Sequence, residues 1–228
     1  MLTLRQWSNL IRAVAFYETR GYEFIEAAWH ASPQAIGVTL PPGCNYTEAR
    51  EAVAGRTAAL ALVGSAEQSF LDLWLRGLLP DQRKVVALTP CFRLADDCTA
   101  TCHHPYFMKA ELGYFADVHL GSFRPLTGYM CDALSIAREM RLSAHVFMDS
   151  LGAEHLETVE LRPELRTRLV EGGRFYEMPL GDLEVAGVEV GSYGARAFEM
   201  ENGRTVVWAY GTGLAEPRAS WATERSRK

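Results

Sequence analysis

The chain has 228 residues, of which 48% are hydrophobic and 22% charged, with a formal net charge of −5. That is enough apolar material for the core of one large domain, and too ordinary a composition for a disordered, collagenous or disulfide-framework protein. The acidic balance gives no global attraction to nucleic acid, no run approaches the ~20 apolar residues of a membrane helix, and an odd set of five cysteines behind an amphipathic, non-secretory N-terminus points to free thiols in the cytoplasm.

Leu4, Trp7, Leu10, Ile11, Val14, Ala15 and Phe16 recur at helical spacing, predicting an amphipathic helix over 4–20 that Gly21 ends. Tyr22 to Trp29 is aromatic and β-branched, as a strand would be, and Pro33 follows. Ile36 to Tyr46, with Pro41-Pro42-Gly43, reads as irregular loop. Residues 48–63 are alanine-rich and end in an apolar run before Gly64, and 67–78 are helical in pattern. Val85 to Leu88 and Tyr106 to Phe115 read as two strands around a polar loop, an antiparallel hairpin. A further helix is predicted over 131–151, and the pattern over 155–185 is mixed. Val188 to Tyr193 and Thr205 to Tyr210 read as strands, and Gly211 onward as a turn into a short C-terminal helix. The order predicts a single α+β domain over 1–228, an antiparallel sheet flanked by helices.

Two arginines stand in distinctive settings. Arg93 ends Thr89-Pro90-Cys91-Phe92-Arg93, and Arg218 ends Gly211-Thr212-Gly213-Leu214-Ala215-Glu216-Pro217-Arg218. A guanidinium is a planar, permanently charged donor fork suited to phosphate oxygens, and a glycine-spaced turn lets a ligand approach the backbone. Together they suggest a polyphosphate gripped from two sides. Taken singly, each has an ordinary reading: Phe92-Arg93 as a strand end with a surface arginine, Gly211-Thr212-Gly213 as a tight turn, Phe107 as core, and Glu67 as a charge favouring a helix N-terminus.

Taken in order, these segments resemble the catalytic core of the class II aminoacyl-tRNA synthetases, and within it the seryl-type branch. The first motif, about 5–33, is similar to the helix, strand and Pro33; the second, about 85–115, to Phe92-Arg93 followed by His103 and Phe107; the third, about 205–225, to Gly211, Gly213 and Arg218. Phe107-Met108-Lys109-Ala110-Glu111 resembles the branch's return strand, Ser65-Ala66-Glu67 its Thr-x-Glu loop, and Glu189-Val190-Gly191-Ser192 its Glu-x-x-Ser strand. The resemblance implies ATP bound by Arg93, His103, Phe107, Glu111 and Arg218, with Arg93 on the α-phosphate, Arg218 on the γ-phosphate and Phe107 beneath adenine. It implies Mg2+ held on ATP by Glu189 and Ser192, and an amino acid bound by Ser65, Glu67 and Gly191, with Glu67 on its amino group. The implied reaction is ATP-dependent activation of a small amino acid or related carboxylate as an adenylate, in a homodimer formed through the first motif.

The sequence departs from the family in several places. Ala95 stands where a glutamate is usual two residues after the second-motif arginine, and Pro217 directly precedes the third-motif arginine. Zinc is a minor alternative: Cys98, Cys102 and His103 lack the expected ligand gaps and a second ligand pair, and Cys91, where the resemblance places a ligand in a zinc-binding subset of the branch, has Trp208-Ala209-Tyr210 where its companion cysteine would stand. With no anticodon-binding domain or N-terminal arm expected, the resemblance favours a carrier protein or small molecule over anticodon-recognised tRNA as acyl acceptor. A catalytically silent paralogue acting as a regulatory or partner-binding subunit is the other reading, and Ala95 favours it.

Overall fold

A computed structural model describes residues 2–40, 48–53, 56–93, 104–118 and 124–228, with only the backbone described for 48–53 and 56–60. Helix α1 (Leu4–Glu18) opens on a reciprocal cap, in which Gln6 N–H donates to the Thr3 hydroxyl and Thr3 N–H donates to the Gln6 side-chain oxygen. It stops ahead of Gly21, whose φ of +81° suits glycine. There follow β1 (Glu23–Phe24), β2 (His30–Ala31), α2 (Pro33–Thr39), β3 (Glu48–Val53), β4 (Arg56–Leu62) and α3 (Ala66–Leu75). The strand expected over 22–29 is therefore two residues long, and the loop expected from Ile36 begins as helix α2. Ser32-Pro33 explains the helix. The Ser32 hydroxyl accepts from Ala35 N–H at 3.3 Å, and Pro33 occupies the first turn, where a missing N–H costs nothing.

The second half holds β5 (Lys84–Phe92), β6 (Tyr106–Val118), α4 (Leu126–Ser150), β7 (Leu156–Glu160), β8 (Arg166–Val170), β9 (Gly173–Val185), β10 (Val188–Met200), β11 (Thr205–Glu216) and α5 (Arg218–Ser226). The mixed stretch 155–185 resolves into three strands. The main sheet runs β1-β5-β6-β11-β10-β9-β7, with β8 also on β9; β1 is parallel to β5 and every other pair is antiparallel. Strands β2, β4 and β3 form a separate small sheet. Alternate residues of β11 face two cores: Val207 and Ala209 join the one built with α1 and α4, and Val206 and Trp208 the one built with α2 and α3. Among the described residues no helix is long and apolar enough to cross a membrane.

Gly211 and Gly213 are not a turn, as expected, but lie inside β11, with the register slipping between Thr212 and Leu214 against β6. What approaches their α-carbons is protein. A Cβ on Gly213 would stand 2.7 Å from the Tyr17 ring and 3.0 Å from the Ala110 carbonyl oxygen, and one on Gly211 would stand 2.8 Å from the Tyr193 ring. Both tyrosines are buried and donate to the same stretch, Tyr17 to Gly213 O at 2.9 Å and Tyr193 to Thr212 O at 2.7 Å. Burial raises the pKa of each phenol well above its ordinary value.

The pairing of β9 with β10 is also irregular, and it sets Asp182 opposite Ser192. Burial first, then Glu189 and Glu184, raise Asp182 to about 6, against a smaller opposing effect of Arg141. The folded state thus holds this proton at pH values where the unfolded chain has released it, so the group's contribution favours folding at low pH and is lost as pH rises from about 4 to 6. Asp182→Asn is expected to raise the melting temperature at pH 7 relative to the parent and to leave it nearly unchanged at pH 4; equal shifts at both pH values would contradict the assignment. Gly213→Ala, forced against Tyr17 and backbone, should cost about 1–3 kcal/mol in urea unfolding. Gly37→Ala, in α2 with no heavy atom within 4 Å of the added Cβ, should instead be neutral or stabilise by up to ~1 kcal/mol.

Candidate active site

Strand β5 delivers Arg93. Phe92 N–H donates to Val63 O at 2.9 Å, Arg93 N–H to Pro105 O at 2.9 Å, and the Arg93 side chain donates through Nε to Gly64 O at 3.0 Å. The guanidinium is thereby held at the rim of the hairpin, 5.4 Å from the centroid of the Phe107 ring. Arg218, the first residue of α5, comes from the other side and stands 5.9 Å from the same centroid. Phe107 itself rests on Cys91 and Ala215. Burial pushes the Cys91 thiol up to about 12, with Lys109 the main opposing charge. A thiol kept neutral in this way is a packing group rather than a ready ligand.

Around this pair lies an open cleft of about 270 Å3, lined also by Lys109, Glu189, Gly191, Ser192 and Thr212. Arg218 Nη1 donates to Glu189 Oε1 and to the Glu189 carbonyl oxygen, both at 3.4 Å. The structure therefore brings Arg93, Phe107, Glu189, Gly191, Ser192 and Arg218 together from the end of β5, from β6 and β10, and from helix α5. The Glu189 carboxylate and Ser192 hydroxyl are hard oxygen donors on one wall, which fits a magnesium ion that takes its remaining ligands from phosphate and water. Among the described residues no group of three or more His, Cys, Asp and Glu is placed to hold a metal by itself. His103, Cys98, Cys102 and Ala95 lie outside the described residues.

Two other expected residues sit deeper. Glu111 is buried on β6 and accepts from Lys109 Nζ at 2.9 Å through Oε1 and from the Ser65 hydroxyl at 2.8 Å through Oε2. Ser65 also caps α3, accepting from Glu67 N–H at 3.4 Å. Lys109 thus reaches the cleft as one half of a buried ion pair, and Glu111 acts through it. Glu67 is engaged on both oxygens: Oε1 accepts from Trp208 Nε1 at 2.6 Å, and Oε2 pairs with Arg196. A substrate ammonium meeting Glu67 would have to share these oxygens with Trp208 and Arg196.

Arg196, on β10, is engaged through all three guanidinium nitrogens. Its Nε and Nη2 donate to Glu177 Oε1 at 2.9 and 2.6 Å, Nη1 pairs with Glu67, and its guanidinium lies 4.2 Å from the Tyr210 centroid. Burial works against its charge, but Glu67, then Tyr210 and Glu177, outweigh that and hold its pKa above the ordinary value. Sequence reasoning assigned no role to Lys109 or Arg196. Strand alternation could have found Lys109, two residues from both Phe107 and Glu111; for Arg196 the only signal was a charge inside the small and apolar run 193–198.

No family model matches the chain, and no curated protein sequence matches it. Solved structures do. The cytoplasmic serine-tRNA ligase of Naegleria fowleri, determined with AMP, superposes with a TM-score of 0.57 at 14% identity, over 98% of this chain and 49% of that one. PylSc, a pyrrolysyl-tRNA synthetase of Desulfitobacterium hafniense, gives 0.55 at 14% identity, over 98% and 69%. The prolyl-tRNA synthetase of Cryptosporidium parvum, with halofuginone and AMPPNP, gives 0.56 at 10% identity, over 95% and 46%. The chain spans about half the length of the seryl and prolyl enzymes. At these identities the likeness is one of architecture, and the architecture is that of the class II aminoacyl-tRNA synthetase catalytic core.

Proposed function

We propose that the protein activates a small amino acid, or a related carboxylate, with ATP. The observation that carries this reading is the convergence of Arg93 and Arg218 on Phe107 in one cleft that also holds Glu189 and Ser192. Two arginines about an aromatic ring suit a nucleotide whose base stacks and whose phosphates are gripped at both ends. Two of the structural neighbours were determined with AMP and with AMPPNP, which accords with it.

In the proposed reaction a carboxylate oxygen of the substrate attacks the α-phosphorus of ATP. The bond from that phosphorus to the bridging oxygen breaks, and pyrophosphate leaves with the electron pair. No proton moves and no protein nucleophile is required, so this chain's residues act by position and charge. Arg93, held at the rim by its Nε bond to Gly64 O, places its guanidinium charge to meet charge building at the α-phosphate. Arg218 takes the γ-phosphate once it leaves Glu189, freeing that carboxylate. Glu189 and Ser192 would hold Mg2+, which neutralises charge on the phosphates. Lys109, fixed by Glu111 and through it by Ser65, sets a cation beside the entering carboxylate. A carrier protein or small molecule is proposed as acyl acceptor over tRNA, in keeping with a net charge of −5. A reducing cytoplasmic setting accords with the free thiols of Cys91 and Cys131.

The other reading, a silent paralogue, is favoured by Glu67 having both oxygens engaged. Amino-acid-dependent exchange of pyrophosphate into ATP distinguishes the two. Exchange is expected with at least one small amino acid, and Arg93→Ala should lower kcat/KM by about 100-fold or more, as loss of a group stabilising transition-state charge does. No exchange with any of the twenty amino acids, together with no ATP binding, would sink the catalytic reading.

We also propose a homodimer through α1. Leu4 is 89% and Ile11 62% exposed, and with Trp7 they form an outward stripe beside the buried face of Leu10, Ala13 and Tyr17, while Phe24 of edge strand β1 is exposed as well. Sedimentation of the parent should give twice the monomer mass, and Ile11→Asp should shift it to monomer with the fold retained by circular dichroism. A monomeric parent refutes the proposal.

A further inference from the structure

The cleft stops short along the sheet, against a row of residues whose side-chain space is already taken. Phe107, Lys109 and Glu111 of β6, Thr212 and Tyr210 of β11, and Ser192, Gly194 and Arg196 of β10 share one face by alternation, and the registers align them in rows across the sheet. Thr212 and Ser192 line the cleft, and the next row, about 7 Å along the strands, is Gly113, Tyr210 and Gly194. That row is filled. A Cβ on Gly113 would stand 2.9 Å from the Phe70 ring of α3, and one on Gly194 would stand 2.6 Å from the Tyr210 hydroxyl.

Tyr210 cannot swing away cheaply, because the Arg196 guanidinium lies against its ring and is itself held by Glu67 and Glu177. Trp208, which donates to Glu67, is stacked on Phe115 with the rings 4° from parallel. Behind Tyr210 there is thus a chain of fixed groups running into the core. Burial raises the pKa of the Tyr210 phenol, so the group that fills this row over Gly194 is neutral.

From this geometry we propose that Tyr210, braced by Arg196, is the residue that limits the size of the activated acid. Resting on the adenylating reading above, the substrate side chain occupies only the space between the Lys109–Glu111 pair, Thr212, Ser192 and the Tyr210 edge, which suits an amino acid no larger than serine. Glu67, in this arrangement, reads the substrate indirectly. It fixes Arg196, which fixes the wall.

The test is the amino-acid profile of pyrophosphate exchange in the parent and in Tyr210→Ala. The parent should exchange with glycine, alanine or serine and at least about tenfold less efficiently with valine and leucine. In Tyr210→Ala the ratio of kcat/KM for valine to that for alanine should rise about tenfold or more, carried by a lower KM for valine, whereas general loosening would lower kcat for all substrates alike. Tyr210→Leu serves as a second, apolar truncation if the alanine variant does not fold, with the same expectation. A parent that exchanges with leucine or phenylalanine as well as with alanine overturns the size limit and leaves the adenylating reading standing. An unchanged ratio in a folded variant also overturns it. Absence of exchange with every amino acid removes both.

Discussion

The contact between two buried tyrosines and two glycines of the central strand β11 governs how the rest of the molecule is put together. Tyr17 comes from the N-terminal helix and Tyr193 from β10, and each lays its ring on a position of β11 where any Cβ would collide. Each also hands its hydroxyl hydrogen to a carbonyl in that same segment, so the rings are tethered as well as packed. Because Arg218 follows β11 directly, the path of that strand decides where the arginine stands. Asn9 adds to this from α1, donating to the buried Glu216 carboxylate at 3.0 Å, while Ser220 of α5 gives the same carboxylate both its N–H and its hydroxyl. Burial raises the pKa of Glu216, opposed by these donors.

On the opposite face of the sheet charge is arranged in steps. At the rim stand Arg93 and Arg218, with the Glu189 carboxylate beside them and paired to Arg218. Behind them Lys109 and Glu111 neutralise one another under cover. Deeper still, Arg196 is shared by two carboxylates. Among the described residues, the two cations deeper on this face, Lys109 and Arg196, are each paired with buried or half-buried carboxylates, while Arg93 and Arg218 stand at the rim. Buried pairs of this kind contribute little net stability, since desolvation offsets much of their attraction. Their effect is to hold neighbouring groups in one geometry.

Much of this was legible in the residues, and what was not has physical causes. The helix over Leu4–Glu18 announced itself because its buried and exposed faces differ at a period that only a helix satisfies. The hairpin of β5 and β6 was legible as two strands around a polar loop. The meeting of Arg93, Phe107, Glu189, Ser192 and Arg218 in one cleft was anticipated by the resemblance of their segments to the class II core, taken in order, and not by any of these residues singly. The strands β7, β8 and β9 were not, since they are partly exposed near the edge of the sheet and carry Arg, Glu and Thr without a clean alternation. Gly211 and Gly213 misled in the other direction. Local rules assign Gly-x-Gly to a turn, whereas here the missing side chains answer to rings contributed by residues far away in the chain. Glu67 likewise looked available because nothing nearby in sequence foretells Arg196 and Trp208 closing on it.

Strand β11 is the last strand of the chain, yet in the sheet it lies between β6 and β10, and α1 packs against it from the other end of the sequence. Before residues 205–216 emerge from the ribosome, β6 and β10 can each pair on one side only, and their inner edges stand open. A topology of this kind folds slowly, because its decisive pairings join distant parts of the chain and cannot form piecemeal. The open edges are also where nascent chains would pair with one another. Assembly of the cleft between Arg93 and Arg218 and closure of the sheet are consequently one event, and a ribosome stalled upstream of β11 would release a chain with neither.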